Sequence, residues 1–143
     1  MPQQQPVELI LFRQMAGYLD TPVFLVGPDG ELLYFNEAAE PLLGVRFDEV
    51  GEMRMPDWLA AFRPSAHDGR AIPPDEVPLV VALRRRRAVQ ERLLIVDRQG
   101  TPQPILTTAF PLRGQSGRIL GAVAFFWPDE EPPRTPGFTG HVS

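Results

Sequence analysis

The chain has 143 residues, of which 43% are apolar and 22% are charged, and its formal net charge is −4. This size and composition are those of one folded domain with a single hydrophobic core. The chain has no cysteine and no lysine, which excludes disulfides, thiolate metal sites and Schiff-base catalysis. Its acidic balance provides no general attraction to nucleic acid or to anionic membranes.

The N-terminal part is predicted to be a short disordered start, 1–6, followed by an amphipathic helix over 7–20. Apolar residues recur there three and four positions apart, which is typical of a helix with one buried face. The start has no basic leader, and Glu8 and Arg13 interrupt its apolar run, so we expect no signal peptide. No stretch reaches the ~18 apolar residues that cross a bilayer. The expectation is a cytoplasmic protein without membrane contact.

A β-hairpin is predicted next, with strands at 23–26 and 31–35 around a Pro-Asp-Gly turn. Asn36 follows the second strand, and its side chain can accept a hydrogen bond from the backbone two or three residues on. This cap predicts a helix over 37–43. Pro41 should kink or shorten that helix, because proline removes an interior hydrogen bond.

The rest of the chain contains helical pieces, one longer helix and three strands. Trp58, Leu59 and Phe62 stand at helical spacing, and Asp75 is placed to cap a helix that carries Pro78 in its first turn. Glycine-bearing turns separate the three apolar strands. The predicted elements are helical pieces over 48–66, a loop over 67–74, a helix over 75–87, strands at 89–97, 103–112 and 119–127, and a disordered Pro-rich tail over 129–143.

Three motifs follow one another along the chain. They are Asn36-x-Ala38-Ala39-x-x-Leu42-Leu43-Gly44, the segment 68–79 that begins Asp68-Gly69-Arg70, and the ending 111–123 with its glycine turn. With the element order, these motifs resemble the PAS domain family over residues 18–128. The resemblance implies an α+β fold: a five-stranded antiparallel sheet with short helices on one face, spanning 21–128, to which the N-terminal helix is added. It also implies a sensing or signalling role and, in some members, a ligand pocket between sheet and helices.

Strand alternation and the register of the family predict which side chains lie under the helices. The predicted pocket lining is Leu33, Phe35, Ala39, Leu43, Phe47, Trp58, Phe62, Leu79, Leu83, Ile95, Ile105, Thr107, Ala109, Ala122, Ala124 and Phe126, with Leu93 on the same face as Ile95. Only Thr107 is polar and three alanines leave room, so a small apolar ligand fits better than a charged metabolite. The alternative is a filled core without a ligand.

Haem and non-covalent flavin are the cofactors that the resemblance raises. Haem would need a histidine ligand, and His67, the only internal one, stands in a predicted loop where a solvated side chain is the simpler interpretation. His141 lies in the tail. The lack of cysteine excludes the cysteine-linked flavin photochemistry of the light-oxygen-voltage branch of the family. We therefore expect neither a cofactor nor a metal.

The opposite face of the predicted sheet is also apolar, although a sheet with helices on one side usually shows polar residues on the other. A surface of this size is normally covered. The predicted interface residues are Leu9, Phe12, Leu94, Val96, Leu106, Phe110, Val123, Phe125 and Trp127. The expected partner is a second copy of the chain, or another PAS or signalling protein. The alternative is a monomer whose own N-terminal helix folds back onto the sheet.

Four consecutive arginines at 84–87 end the predicted longer helix. They are expected to form a solvated face or to dock an acidic partner, and not to bind nucleic acid, because no aromatic residues interleave with them. Ser65 and His67 stand close in sequence without an orienting acid, so no catalytic residues are assigned and no enzyme activity is expected.

These features together predict a stand-alone PAS sensor or adaptor in signal transduction or transcriptional regulation. In this interpretation the domain binds a small apolar ligand and signals through protein–protein contacts. The alternative function is a constitutive dimerisation module with a filled core, and a haem or flavin sensor is the third interpretation. The sequence does not identify the ligand, the partner or the pathway. It also does not decide whether the N-terminal helix packs on its own sheet or on that of a neighbouring chain.

Overall fold

The computed structural model of the protein describes residues 6–129. The segments predicted to be disordered are 1–6 and 129–143, of which 1–5 and 130–143 lie outside the described residues. Residue Asp129 is described, and its backbone N–H donates to the Pro104 carbonyl at 3.0 Å, which continues the pairing of the last two strands.

The fold is built on one antiparallel sheet, as the α+β prediction requires, with strand order β2-β1-β6-β5-β4-β3. The strands are β1 (Val23–Val26), β2 (Leu32–Phe35), β3 (Ser65–Ala66), β4 (Val89–Val96), β5 (Pro102–Arg113) and β6 (Ile119–Pro128). The sheet therefore has six strands and not the five predicted. The added strand, β3, pairs two residues with the edge of β4, and two residues are too few to show an alternation in sequence.

Short helices cover one face of the sheet, and the N-terminal helix covers part of the other. The helices are α1 (Val7–Ala16), α2 (Glu40–Leu43), α3 (Phe47–Val50), α4 (Met55–Phe62) and α5 (Pro78–Arg85), with 3-10 turns at Glu37–Ala39, Pro74–Glu76 and Gln115–Gly117. The helix predicted over 37–43 is thus a 3-10 turn followed by α2, with Pro41 in the first turn of α2, where no amide donor is needed.

The prediction that Asp75 caps the longer helix is wrong. Val77 has extended backbone angles, φ −67° and ψ 132°, and α5 begins only at Pro78. The residue before a proline is kept out of the helical region by the proline ring, so a helix cannot run from 75 through 77. Asp75 instead lies in the preceding 3-10 turn.

Two hydrophobic cores lie on opposite faces of the sheet. The inner core packs β-strand side chains against α2, α4 and α5, and includes Phe35, Trp58 and Phe126. The outer core packs α1, through Leu9 and Ala16, against the outward side chains of β1, β2 and β6. The helix at the N-terminus therefore packs on its own sheet, and both faces of β6 contribute to a core.

Asn36 joins the outer helix to the sheet and to the inner helices. Its side chain is fully buried, and its Oδ1 accepts from the backbone N–H of Val23 at 2.9 Å and of Ala39 at 3.2 Å. Its Nδ2 donates to the carbonyls of Ala16 at 3.0 Å and Thr21 at 2.9 Å, with a weaker contact of 3.4 Å to Leu19. The predicted cap of the following turn is thus also the anchor of α1.

Replacing Asn36 by alanine should destabilise the domain severely. The change leaves the buried N–H of Val23 and several carbonyls without partners, for which we expect a loss of about 3 kcal/mol or more in the free energy of unfolding by urea. Glu37→Ala, at the exposed neighbouring position, is the control and should change it by less than about 0.5 kcal/mol. Equal stability of the two variants would contradict the role given to Asn36.

Candidate functional site

A small cavity lies in the inner core between the sheet, α4 and α5, with a volume of about 60 Å³. Nine predicted pocket residues line it: Leu43, Trp58, Phe62, Leu79, Ile95, Ile105, Thr107, Ala124 and Phe126. Leu93 lines it as well. The sequence therefore predicted the position of the cavity, although its use as a ligand site stays a prediction.

Six further predicted residues belong to the inner core without lining the cavity. Phe35, Ala39, Ala109 and Ala122 are buried in it, and Phe47 and Leu83 are partly buried against it. The sequence analysis expected free space beside three alanines. Among these three, Ala124 borders the cavity, whereas Ala109 and Ala122 are packed by neighbouring side chains.

The placement of Leu33 in the pocket is wrong. Val26 pairs with Leu32 and Leu25 pairs with Tyr34, so Leu33 is an extra residue without a partner on β1. Such a bulge interrupts the alternation of the strand. Leu33 consequently lies in the outer core, while Leu32 and Phe35 both lie in the inner one.

Phe24 is the main cavity residue that the sequence did not reveal. Its ring packs edge-on against Trp58, with centroids 5.1 Å apart, and against Phe62 at 6.2 Å. All four residues of β1 are buried, so apolar character gives no sign of which of them face the helices. Pro64, Val77 and Pro78 also line the cavity and were not predicted, since they lie at the ends of elements.

The cavity offers almost no polar group to a ligand. The indole Nε1 of Trp58 already donates to the Gly30 carbonyl at 2.8 Å, which also ties α4 to the β1–β2 turn. Thr107 is the only polar side chain in the lining, and its hydroxyl donates to the Phe125 carbonyl at 3.5 Å. The lining can therefore hold an apolar molecule and cannot neutralise a charge.

The β4–β5 turn holds one end of this cavity in place. The Oδ1 of Asp97 accepts from the backbone N–H of Gln99 and of Thr101, both at 2.9 Å, and its Oδ2 accepts from the side chain of Gln103 at 3.0 Å. Arg98 of the same turn donates its N–H to the Leu43 carbonyl at 3.1 Å. By fixing the turn, Asp97 helps to position Leu43, which lines the cavity. An aspartate three residues before a glycine is typical of such a turn, so the sequence could have suggested this role.

Gly44 allows this turn to approach α2 closely. Its φ is +75°, in the left-handed region, and a Cβ there would lie 2.7 Å from the Gln99 side-chain oxygen and 3.1 Å from the Arg98 nitrogen. Glycine is therefore required both for the backbone angle and for the space.

The interface residues predicted on the outer face fall into two groups. Leu9 and Val123 are buried in the outer core, and Phe12, Phe110 and Phe125 are partly buried against it, with the last two rings stacked at 5.6 Å. Leu9 and Phe12 belong to α1, and the other three lie on β5 and β6 beneath it. Leu94, Val96 and Leu106 are half-buried outside that core, and Trp127 is exposed. The helix therefore covers only part of the apolar face.

The surface of α1 that points away from the sheet is apolar as well. Val7, Ile10, Leu11 and Met15 are each exposed by between 42% and 64%. We call these four residues the α1 stripe. A stripe of this kind on a helix already packed on its other side is an unusual surface for an isolated domain.

Arg13 attaches α1 to the inner elements at a second place. Its guanidinium lies over the ring of Tyr34, 4.9 Å from the centroid, and 5.3 Å from that of Phe47. Burial raises the pKa of Tyr34, the nearby Arg13 charge opposes this rise, and Glu40 and Glu37 add to it. The phenol is therefore neutral at physiological pH, and Arg13 interacts with an uncharged ring.

None of the helices in residues 6–129 combines the length and the apolar character needed to span a membrane. Within the same residues, the histidine, aspartate and glutamate side chains form no group of three that could hold a metal ion.

Comparisons with known proteins identify the relatives of this fold. The family model described as "PAS domain" matches residues 20–129. The crystal structure of a PAS domain from Colwellia psychrerythraea is similar with a TM-score of 0.60 at 14% identity, covering 85% of this chain and 97% of that one. The light-state dimer of the fungal blue-light photoreceptor Vivid has a TM-score of 0.58 at 16% identity, covering 89% and 97%.

A third similar structure, of a light-oxygen-voltage domain studied with a flavin analogue, has a TM-score of 0.59 at 19% identity and covers 87% of this chain and 86% of that one. Identities this low establish the shared fold alone. A search of curated proteins found no significant match.

Acidification should test the hydrogen bonds of Asp97. They lower the pKa of its carboxyl below the ordinary value of 3.8, with the Thr101 amide as the largest cause and burial opposing. A carboxyl whose pKa is lower in the folded than in the unfolded chain stabilises the fold at pH values above its pKa in the unfolded chain. This contribution is lost as the pH falls through the pKa that the group has in the folded chain. Urea unfolding at about pH 6 and about pH 3 should therefore show a smaller acid-induced loss of stability in Asp97→Asn than in the wild type.

Gln103→Ala should act in the same direction but less, because the two backbone donors to Asp97 remain. If Asp97→Asn loses as much stability on acidification as the wild type, the turn does not hold an ionised Asp97 in the way described.

Proposed function

The chain belongs to the PAS domain family, and we propose that it acts as a non-catalytic sensor or adaptor that binds a small apolar molecule in the cavity of the inner core. The observation that carries the proposal is the chemistry of that cavity. Thirteen of its lining side chains are apolar, against one threonine. Transfer of an apolar molecule into such a lining is favourable, whereas a charge there would lack partners.

The size of the cavity supports a very small ligand. A cavity of about 60 Å³ is well below the roughly 150 Å³ of an engineered apolar cavity that binds benzene or xenon. We therefore expect xenon or a short hydrocarbon to enter without rearrangement, and larger aromatics only if α5 moves. The alternative function is a constitutive interaction module whose core is filled by its own side chains, and the ligand experiment below distinguishes the two.

A flavin or haem does not fit the residues present. The polar edge of a flavin ring needs several hydrogen-bond partners, and Thr107 is the only polar side chain in the lining. Pockets that hold molecules of this size have volumes of hundreds of Å³. His67, the predicted candidate for a haem ligand, does not line the cavity. We derive no function from either cofactor.

The proposed output is contact with a second copy of the chain through the α1 stripe and the uncovered part of the outer sheet face. The structure of Vivid to which the chain is similar is a dimer. In the present chain the support is the pair of exposed apolar areas, the α1 stripe and the region around Trp127. A second copy would cover both, and the release or retention of that contact would carry the signal to a regulator.

Ligand binding is tested by filling the cavity. Ala124→Val adds two methyl groups at a lining position, and it should abolish the thermal stabilisation that xenon or a short hydrocarbon gives to the wild type. Ala109→Val is the matched control: Ala109 is buried in the same core but does not line the cavity. It should keep the ligand effect, although overpacking costs about 1–3 kcal/mol. No ligand effect in the wild type would favour the constitutive module.

The interface is tested by a charge in the α1 stripe. Leu11→Glu should shift sedimentation from dimer to monomer, because Leu11 is 58% exposed and its replacement leaves both cores intact. Ala60→Glu, which adds one negative charge at an exposed position of α4 on the opposite side of the sheet, should leave the dimer unchanged. A wild-type chain that is monomeric at all concentrations would refute the proposed contact.

A further inference from the structure

We propose a second binding site, separate from the cavity, that takes a monoanionic organic acid with an apolar body. It is an open cleft of about 700 Å³ between β3, the loop that follows it, α5 and the start of β4. It shares no lining residue with the cavity of the inner core. Its volume falls within the range of small-molecule sites.

The floor of the cleft is apolar. It is formed by Ala66, Ile72, Val81 and Val89, each of which is partly buried. Ile72 also packs against the inner core. A hydrocarbon or aromatic group laid on this floor would remove apolar surface from water, which is favourable in proportion to the area covered.

Three arginines without ion pairs surround the floor. Arg70, Arg85 and Arg87 line the cleft, and the ion pairs found among residues 6–129 involve other arginines. A guanidinium group offers two parallel N–H donors that match a carboxylate. These side chains are therefore available to a ligand carboxylate.

The end of α5 explains how the arginine run reaches the cleft. Arg86 has a left-handed φ of +58°, and its carbonyl accepts a hydrogen bond from Arg113 of β5 at 3.1 Å. The chain turns at this residue, so that Arg85 and Arg87 line the cleft while Arg84 and Arg86 do not. All four arginines are exposed, as the predicted solvated face requires, and Arg85 and Arg87 in addition border the cleft.

His67 has a ring nitrogen without a hydrogen-bond partner in the described part of the chain. Its Nδ1 is shielded from water and makes no hydrogen bond to any group within residues 6–129. A buried polar atom without a partner costs free energy. His67 lines the same cleft, and an acid group bound there would provide a partner after a rotation of the ring.

The acidic residues of the cleft decide the charge of the ligand. Three acidic residues also line the cleft: Asp75, Glu76 and Glu91. Their negative charges equal in number the positive charges of the three arginines without ion pairs. The fourth arginine of the lining, Arg92, has its guanidinium 3.5 Å from the Asp129 carboxylate. The doubly charged form of phosphate would be repelled more strongly by the three nearby carboxylates than a single carboxylate would be. A single carboxylate on an apolar body meets both the arginine donors and the floor, and is the ligand class we assign.

The test uses the full chain and three probes: phenylacetate, its neutral isostere phenylacetamide, and inorganic phosphate, each titrated by calorimetry or by NMR shifts. Phenylacetate should bind at least about tenfold more tightly than the other two. Arg85→Gln and Arg70→Gln should each weaken phenylacetate binding by about tenfold. Arg84→Gln, in the same run but outside the cleft, should leave it unchanged. Binding should persist in Ala124→Val, whose core cavity is filled, which separates this site from the proposed function.

The proposal would be overturned by no binding of phenylacetate, equal binding of the amide, tighter binding of phosphate, or equal losses in Arg84→Gln and Arg85→Gln. Loss of binding in Ala124→Val would assign the ligand to the core cavity and overturn the proposal in the same way.

Discussion

The hydrogen bonds of the Asn36 side chain are the constraint on which the two-sided arrangement of this domain depends. One buried amide group contacts the end of α1, the start of β1 and the 3-10 turn that leads into α2. Both its oxygen and its nitrogen are used, so no other residue type supplies the same set of donors and acceptors in the same volume. The outer helix and the turn that leads into the inner helices are therefore both joined to the sheet through this side chain.

This shared attachment has a consequence for signalling. The turn that Asn36 caps continues into α2, whose last residue, Leu43, lines the inner cavity. The helix that Asn36 anchors carries the α1 stripe on the opposite side of the sheet. A ligand that changes the position of α2 would thus act on the element that presents the proposed contact surface. It can do so only by the difference in its affinity for the two positions.

The sequence predicted those parts of the structure that depend on local chemistry. Asn36 was identified as a cap, and Gly44 belonged to a predicted motif. The inward residues of β4, β5 and β6 followed from strand alternation together with the register of the PAS family. The sequence could not predict the donor bonds of Asn36, because they reach residues 15 to 20 positions away. It misplaced Leu33, because a bulge is a property of the paired strands and not of one strand. It missed Phe24, because a fully buried strand has no alternation to read.

The central claim is that the amide nitrogen of Asn36 holds α1 on the sheet. Amide hydrogen exchange in Asn36→Asp measures this directly, because the carboxylate keeps an acceptor for Val23 and Ala39 but places a negative charge beside the carbonyls of Ala16 and Thr21. The account predicts that the amides of α1 lose their protection while those of β5 and β6 keep theirs. Unchanged protection of α1 in this variant would contradict it.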